Sequence, residues 1–294
     1  MKMIDYFFAG YTKINIDSIS KETKLPLHIF YPSDIPEKLE KLGPFQLDLA
    51  VDATPKNGNY PLVIFSHGSG SMPLLFRTLG QYLARNGFII GMLEHPGNNR
   101  VDNSLVDTVD NLISRPTDLQ TAIDWFWETS EFKSILISET VSLIGHSMGG
   151  YSALALAGGK PTPLPQEAAD ARPLILAKDP RVKSIILLAP ATVWFREKGA
   201  LSDIDIPILM YTAVLDTFTP KMPHAYIVME GINNTKQIIY REVENAGHFS
   251  FMSVYPNELK SAALPPSQDP PGFNRQDFLD RLNPEIAEFL LKAI

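Results

Sequence analysis

The stretch Val141-Ser-Leu-Ile-Gly-His-Ser-Met-Gly-Gly-Tyr151 decides the fold of this chain. Val141, Leu143 and Ile144 form a short apolar run of strand composition. Gly145-His-Ser-Met-Gly149 follows, and then Tyr151, Leu154 and Ala155 recur at helical spacing. A G-x-S-x-G set between a strand and a helix marks a sharp turn that lifts its serine clear of the sheet. Glycines two residues before and two after the serine remove side chains that would collide where strand and helix cross. The N-terminus of the following helix offers unpaired N–H groups, and the positive end of a dipole, to a developing oxyanion. Ser147 is therefore expected to attack a carbonyl carbon. Without its flanks the same pentapeptide would be an ordinary glycine-rich turn.

A serine hydroxyl is a poor nucleophile at neutral pH and needs a general base, which in turn needs an orienting acid. When the serine sits on such an elbow, the acid and then the histidine follow it along the chain. His28, His67 and His95 precede Ser147, and His146 is too close along the backbone to fold back onto its hydroxyl. His224 and His248 remain. His248 lies in Asn245-Ala-Gly-His-Phe249, a loop of small residues directly after a strand, whereas His224 stands at a helix start. His248 is the expected base. The acid belongs at the end of the strand over residues 208–213, where Asp216 stands. Asp203 and Asp205 come before that strand, at the wrong edge of the sheet, and Glu242 and Glu244 are the weaker alternatives. The competing role for Asp216 is a helix N-cap, since Pro220 lies just beyond.

The first oxyanion donor is expected from the amide after the nucleophile, Met148. The second comes from a loop after an early strand. Ser66-His-Gly-Ser-Gly-Ser71 follows the apolar run 61–66 and supplies Ser69, with Gly68 as the alternative. His67 is expected to brace this loop.

Strand-like and helix-like segments alternate from about residue 60 onward, which predicts an α/β chain with a mostly parallel central sheet and helices on both faces. Residues 12–16 and 25–31 read as a leading antiparallel hairpin, and residues 32–60 as a long polar loop. Strands are expected at 61–66, 88–93, 182–188, 208–213 and 237–243. Ser71 is placed to cap a helix whose stripe is Leu75, Leu79 and Leu83, and Asn86-Gly87 to stop it. Residues 106–128 read as a helix interrupted at Pro116, and 278–293 as closing helix broken near Pro284. Prolines at 161, 163, 165, 173 and 180 mark residues 159–180 as an excursion from the sheet, and 255–276 reads as a second one. Either is a candidate lid. All 294 residues fit one domain.

Composition narrows the function classes. Hydrophobic residues make up 45% and charged residues 20%, as in ordinary globular proteins. The net charge of −7 is spread without runs, which argues against a nucleic-acid surface or a polybasic anchor. The absence of cysteine excludes disulfides, thiolate metal sites and a cysteine nucleophile. No histidine spacing matches a zinc-binding helix, and no nucleotide-binding glycine signature occurs, so no metal or cofactor is expected. Asp5 interrupts the apolar core that a signal peptide would need. The expected location is the cytoplasm, or export without a recognisable leader, and no stretch is long enough to span a bilayer.

Six stretches together resemble one known group. They are Leu27-His-Ile-Phe-Tyr-Pro32, Phe65-Ser-His-Gly-Ser-Gly70, Glu94-His-Pro-Gly-Asn98, Ser114-Arg-Pro-Thr-Asp118, Gly145-His-Ser-Met-Gly-Gly150 and Gly247-His-Phe-Ser250. They are similar to the dienelactone-hydrolase-like branch of the α/β-hydrolases that includes plasma-type platelet-activating factor acetylhydrolases. The resemblance implies the α/β-hydrolase fold and a triad of Ser147, Asp216 and His248, with Ser69 and Met148 amides as oxyanion donors. It also implies no cofactor and a preference for short acyl groups. True dienelactone hydrolases carry cysteine where this chain carries Ser147.

The expected activity is carboxylester hydrolysis through an acyl-enzyme, on small or short-chain acyl esters such as acetylated lipids or lysophospholipids. Thioesterase, amidase and acyltransferase activities share the same triad, and a non-catalytic binding protein on a hydrolase scaffold is the alternative from another class. Arg115 and Asp118 are expected to pair at a helix start. His95, Trp194, Phe218 and Phe249 are the candidate pocket residues, and Met148, Phe195 and Phe251 are further aromatic or apolar candidates near the site.

Overall fold

The computed structural model describes residues 7–18 and 23–293. The start of the N-terminal segment, residues 1–6, which includes Asp5, lies outside the described residues. Among the described residues, ten strands, numbered β1 to β10 along the chain, form one sheet in the order β10-β9-β8-β7-β5-β6-β2-β1-β4-β3. The strands β5 (Tyr60–Ser66), β6 (Ile89–Leu93), β7 (Leu136–His146), β8 (Val182–Leu188), β9 (Ile208–Ala213) and β10 (Ile238–Val243) run parallel. The hairpin of β1 (Phe8–Asp17) and β2 (Lys24–Ser33) extends the other side, with β2 antiparallel to β6 and β1 parallel to the next strand outward.

Side chains alternate between the two faces, as the period of a strand requires. Leu62 and Ile64 of β5 join the core beneath α2 (Val109–Glu128), α3 (Met148–Leu156) and α4 (Lys221–Gly231). Val63 and Phe65 join the core beneath α1 (Arg77–Arg85) and α5 (Arg275–Lys292). Both faces of the parallel strands are thus covered, which is why these runs read as continuously apolar.

The structure departs from the sequence expectations in four places. Residues 32–60 are not a bare loop: β3 (Lys38–Leu42) and β4 (Phe45–Val51) form a hairpin in which Phe45, Leu47 and Leu49 are buried. Gly43, at φ 60°, makes its two-residue turn with Pro44. Ser71 does not cap a helix. A 3-10 turn from Pro73 to Phe76 precedes α1, and the Ser71 hydroxyl is buried with no hydrogen-bond partner among the described residues. Pro116 does not interrupt α2, and Pro284 does not break α5. At Pro116 the carbonyl it frees, that of Leu112, accepts the Tyr151 hydroxyl at 2.9 Å. At Pro284 the freed carbonyl belongs to exposed Asp280, where solvent can reach it.

The first excursion is tied down at several points. Thr162 N–H donates to Trp194 O at 2.7 Å, Arg196 donates to Thr162 O and Pro163 O, and Trp194 Nε1 donates to Glu167. In the second, buried Arg275 donates to Pro266 O, Gln268 O and Asp269 Oδ1. Among the described residues, no helix is long and apolar enough to cross a membrane.

Candidate active site

Ser147 stands between β7 and α3 with φ 52° and ψ −118°. A residue with a Cβ rarely adopts that conformation, and the surroundings hold it there. Its N–H donates to Leu188 O at 3.0 Å, and its carbonyl accepts from Ala191 and Gly150. A Cβ on Gly145 would fall 2.2 Å from Gly149 O, and one on Gly149 would fall 1.9 Å from Ser66 O. The flanking glycines are thus required by backbone approach, as the pentapeptide predicted.

Asp216 follows β9 and His248 follows β10, both at the carboxyl edge of the sheet where Ser147 also lies. His248 Nδ1–H donates to Asp216 Oδ2 at 2.8 Å, and both side chains are buried. This hydrogen bond leaves Nε2 as the unprotonated nitrogen of a neutral ring. Asp216 Oδ1 accepts the N–H groups of Phe218 and Thr219 at 2.8 and 2.9 Å. Asp216 does not cap a helix: α4 starts at Lys221 with Pro220 at its N-cap, and Oδ1 instead closes the turn after β9. Burial would raise its carboxyl, but the bonds from His248 and Thr219 and the nearby histidine charge outweigh it, and the group is held down at about 2.

Thr219 is a member of the site that the sequence reading missed. Its hydroxyl lies 2.8 Å from Asp216 Oδ2 and 3.2 Å from His248 Nδ1. The signal available was its place three residues after the acid, where a turn brings it back.

The remaining histidines have structural positions. His146 Nε2–H donates to His248 O at 3.0 Å, and its ring packs on His248 and Phe76. Burial, helped by the neighbouring His248, lowers its imidazole to about 3. His67 Nδ1–H donates to Gly68 O at 2.7 Å and so braces the glycine loop, as expected. His224 Nδ1 accepts Thr192 N–H at 3.0 Å, which ties α4 to the loop after β8.

The loop after β5 reaches the nucleophile. A Cβ added to Gly68 would lie 3.1 Å from Ser147 Cβ, which sets the backbone beside Ser69 next to the serine. Met148 opens α3 on the other side.

His95 does not line a pocket rim. It is fully buried, with Nδ1–H donating to Asp118 Oδ2 at 3.0 Å and Nε2 accepting from Ser66 Oγ at 2.8 Å. Arg115 and Asp118 belong to the same buried network, in the second and third turns of α2 rather than at its start. The side-chain bonds of Arg115 run to Asn98, Ser66, His67 O and Ser152.

A cavity of about 400 Å³ adjoins His248, with Phe218, Phe249 and Leu215 on one side and Ala262, Pro265 and Pro270 of the second excursion on the other. Phe218 and Phe249 lie 5.2 Å apart, ring to ring. Trp194 is not in this cavity; it packs on Tyr151. Met148, Phe195 and Phe251 are buried in the cores. Of the two alternative acids, Glu242 is ion-paired with Lys221 at 2.9 Å, and Glu244 is exposed. Among the described residues, no three His, Asp or Glu side chains converge to hold a metal ion.

Residues 41–106 match the family described as Platelet-activating factor acetylhydrolase, isoform II. The chain is 26% identical over 197 residues to Cutinase 2 of Thermobifida cellulosilytica, covering 66% of this chain and 63% of that protein. It is 26% identical to Cutinase est1 of Thermobifida alba, covering 66% and 55%. Against the bis(hydroxyethyl) terephthalate hydrolase of Streptomyces coelicolor it is 27% identical over 194 residues, covering 66% and 52%. The match thus spans about half to three fifths of the length of these curated relatives. Taken with the sheet order and the strained serine between strand and helix, these similarities support an α/β-hydrolase fold, with likeness to the platelet-activating factor acetylhydrolase family over residues 41–106.

Proposed function

We propose that the chain is a serine carboxylester hydrolase that acts on small or short-chain acyl esters, acetylated lipids among them. The observation that carries this reading is the His248–Asp216 bond of 2.8 Å at the edge of the sheet that also carries the strained Ser147. The names of the similar cutinases and of the terephthalate-ester hydrolase support an ester substrate.

Ser147 Oγ attacks the ester carbonyl while His248 Nε2 takes its proton. The imidazolium is stabilised by Asp216, which stays ionised at any pH well above 2. The tetrahedral oxyanion accepts hydrogen bonds from the Ser69 and Met148 amides. His248 then gives its proton to the departing alcohol, which leaves an acyl group on Ser147. A water molecule repeats the sequence, with His248 as base, and releases the acid and the free serine. A cavity of about 400 Å³ beside His248, lined by Phe218 and Phe249, offers apolar surface next to the base.

Labelling with a fluorophosphonate probe, followed by mass mapping, tests the reading. The probe is expected on the peptide that carries Ser147. Labelling that persists in Ser147→Ala, or an intact protein that turns over no ester in a broad panel, overturns it.

A further inference from the structure

We propose that Arg115 is a positioning residue that sets the two halves of the oxyanion hole against each other. The proposal rests on the ester-hydrolase reading above. The two donors come from separate pieces of chain: Ser69 from the loop after β5, and Met148 from the first turn of α3. The paired strands β5 and β7 and the close approach of Gly149 to Ser66 O set the two pieces side by side, but these backbone contacts do not reach the Ser69 side chain or the Met148 carbonyl. Arg115, on α2, touches both pieces.

On the loop side, Arg115 Nη2 donates to the carbonyl of His67 and, at 3.2 Å, to Ser66 Oγ. Arg115 Nη1 donates to Asn98 Oδ1 at 2.7 Å, and Asn98 Nδ2 donates to Ser69 Oγ at 2.9 Å. On the elbow side, Arg115 Nε donates to Ser152 Oγ at 3.0 Å, and Ser152 Oγ donates to Met148 O at 3.1 Å. A planar fork thus reaches Ser69 through one intermediary and Met148 through another. Arg115 is fully buried, so water does not compete for these bonds. Its charge is balanced from Asp118, which His95 holds in place.

The residue type fits this task. A guanidinium presents five donors in a fixed plane, whereas an ammonium is a single point that cannot reach Asn98, Ser66 and Ser152 together. The geometry also separates this role from plain packing. Each intermediary serves one donor only, so the relay to Ser69 and the relay to Met148 can be removed one at a time while Arg115 keeps its bonds to Ser66 and His67.

The test uses Asn98→Ala, Ser152→Ala and Arg115→Lys in the full chain, with Ser152→Thr as the conservative control. The assay is turnover of p-nitrophenyl acetate together with inhibition by an alkyl trifluoromethyl ketone, whose hemiketal oxygen stands for the oxyanion. Loss of a whole oxyanion donor costs about 10²–10³ in kcat, so a displaced donor is expected to cost about 10–100-fold, with KM little changed. Affinity for the ketone should fall in step with kcat/KM, and Ser152→Thr should restore both. If Arg115→Lys does not fold, the two single-arm variants carry the test. Folded single-arm variants with wild-type kcat and ketone affinity overturn the proposal. So does a fall in kcat with ketone affinity unchanged, or a rise in KM alone. A wild-type protein with no ester turnover would defeat the functional reading and this proposal with it, whereas an active wild type with indifferent variants defeats only the role of Arg115.

Discussion

The Tyr151 hydroxyl donates to the carbonyl of Leu112 at 2.9 Å, at the place where Pro116 removes a hydrogen bond from α2. Proline cannot donate to the carbonyl four residues before it, and Leu112 is that residue. One bond thus repairs a helix and ties α2 to α3, one turn beyond the nucleophile. Tyr151→Phe keeps the ring against Trp194 and Phe195 but leaves a buried carbonyl unpaired. It should destabilise the protein by about 1–3 kcal/mol with ester turnover close to wild type. Urea unfolding measures this, and an unchanged midpoint would mean that Leu112 finds another donor.

The triad variants should separate by role. Ser147→Ala and His248→Ala should each lower kcat by roughly 10⁴-fold or more in a folded protein, because triad members act as a unit. Asp216→Asn should cost less than either. Asp216→Ala should also unfold more readily, because Oδ1 holds the turn through the N–H groups of Phe218 and Thr219. Glu242→Gln should leave the rate unchanged, since Glu242 is engaged with Lys221 at the surface. Steady-state kinetics on the set decides it. A large loss from Glu242→Gln with Asp216→Asn near wild type would transfer the acid to Glu242.

The pattern of what the sequence revealed has a physical basis. The elbow is local: a strand, five residues and a helix, with glycines whose need can be read from crowding alone. The triad order followed from topology, since Asp216 and His248 each end a parallel strand. Thr219, the bonds of Arg115 to Asn98, Ser66 and Ser152, and the interior place of His95 were not legible, because these partners are brought by folding. His95 meets Ser66 and Asp118 across 29 and 23 residues. The β3–β4 hairpin was missed because β3 carries exposed Lys and Glu, although Phe45, Leu47 and Leu49 alternate as a half-buried strand should. Pro116 misled for the opposite reason: the breaking signal is local, and Tyr151, which repairs it, is not.

Acid should destabilise this fold well above the pH at which carboxylates protonate. Burial lowers His28, His67 and His146 from 6.5 to about 3, and His224 to about 4. Below pH 6.5 the unfolded chain binds protons at these positions while the folded chain does not, so stability falls as pH falls. The loss should continue toward pH 3–4. Asp216 acts in the same direction from 3.8 down to about 2, because protonation removes the charge that its hydrogen bonds stabilise. Melting temperature from pH 7 to pH 4 should therefore drop steeply. His28→Asn, away from the catalytic site, should flatten that slope while lowering stability at pH 7 through the lost bond to Tyr11. A melting temperature flat between pH 6.5 and 4.5 would mean that these imidazoles are protonated in the folded state.

Acyl length should be limited by the wall that Phe218 and Phe249 make beside His248. Their rings lie 5.1 and 5.2 Å from the imidazole, and Phe218 is 62% exposed, so it stands at the mouth rather than in the core. Phe251 is buried against His146 and does not narrow the cavity, which leaves the exposed ring as the adjustable barrier. The expected order of kcat/KM is acetate and butyrate above octanoate, and octanoate above palmitate, measured as p-nitrophenyl esters. Each methylene that an apolar pocket accepts is worth about 1–3 kcal/mol of discrimination, so a channel open to long chains would give rates that climb steeply with length. Phe218→Ala removes the ring without touching the triad bonds. It should move the optimum toward longer chains while acetate turnover changes little. A wild-type maximum on palmitate would mean that the two rings line an open channel, and an optimum unmoved by Phe218→Ala would place the barrier elsewhere.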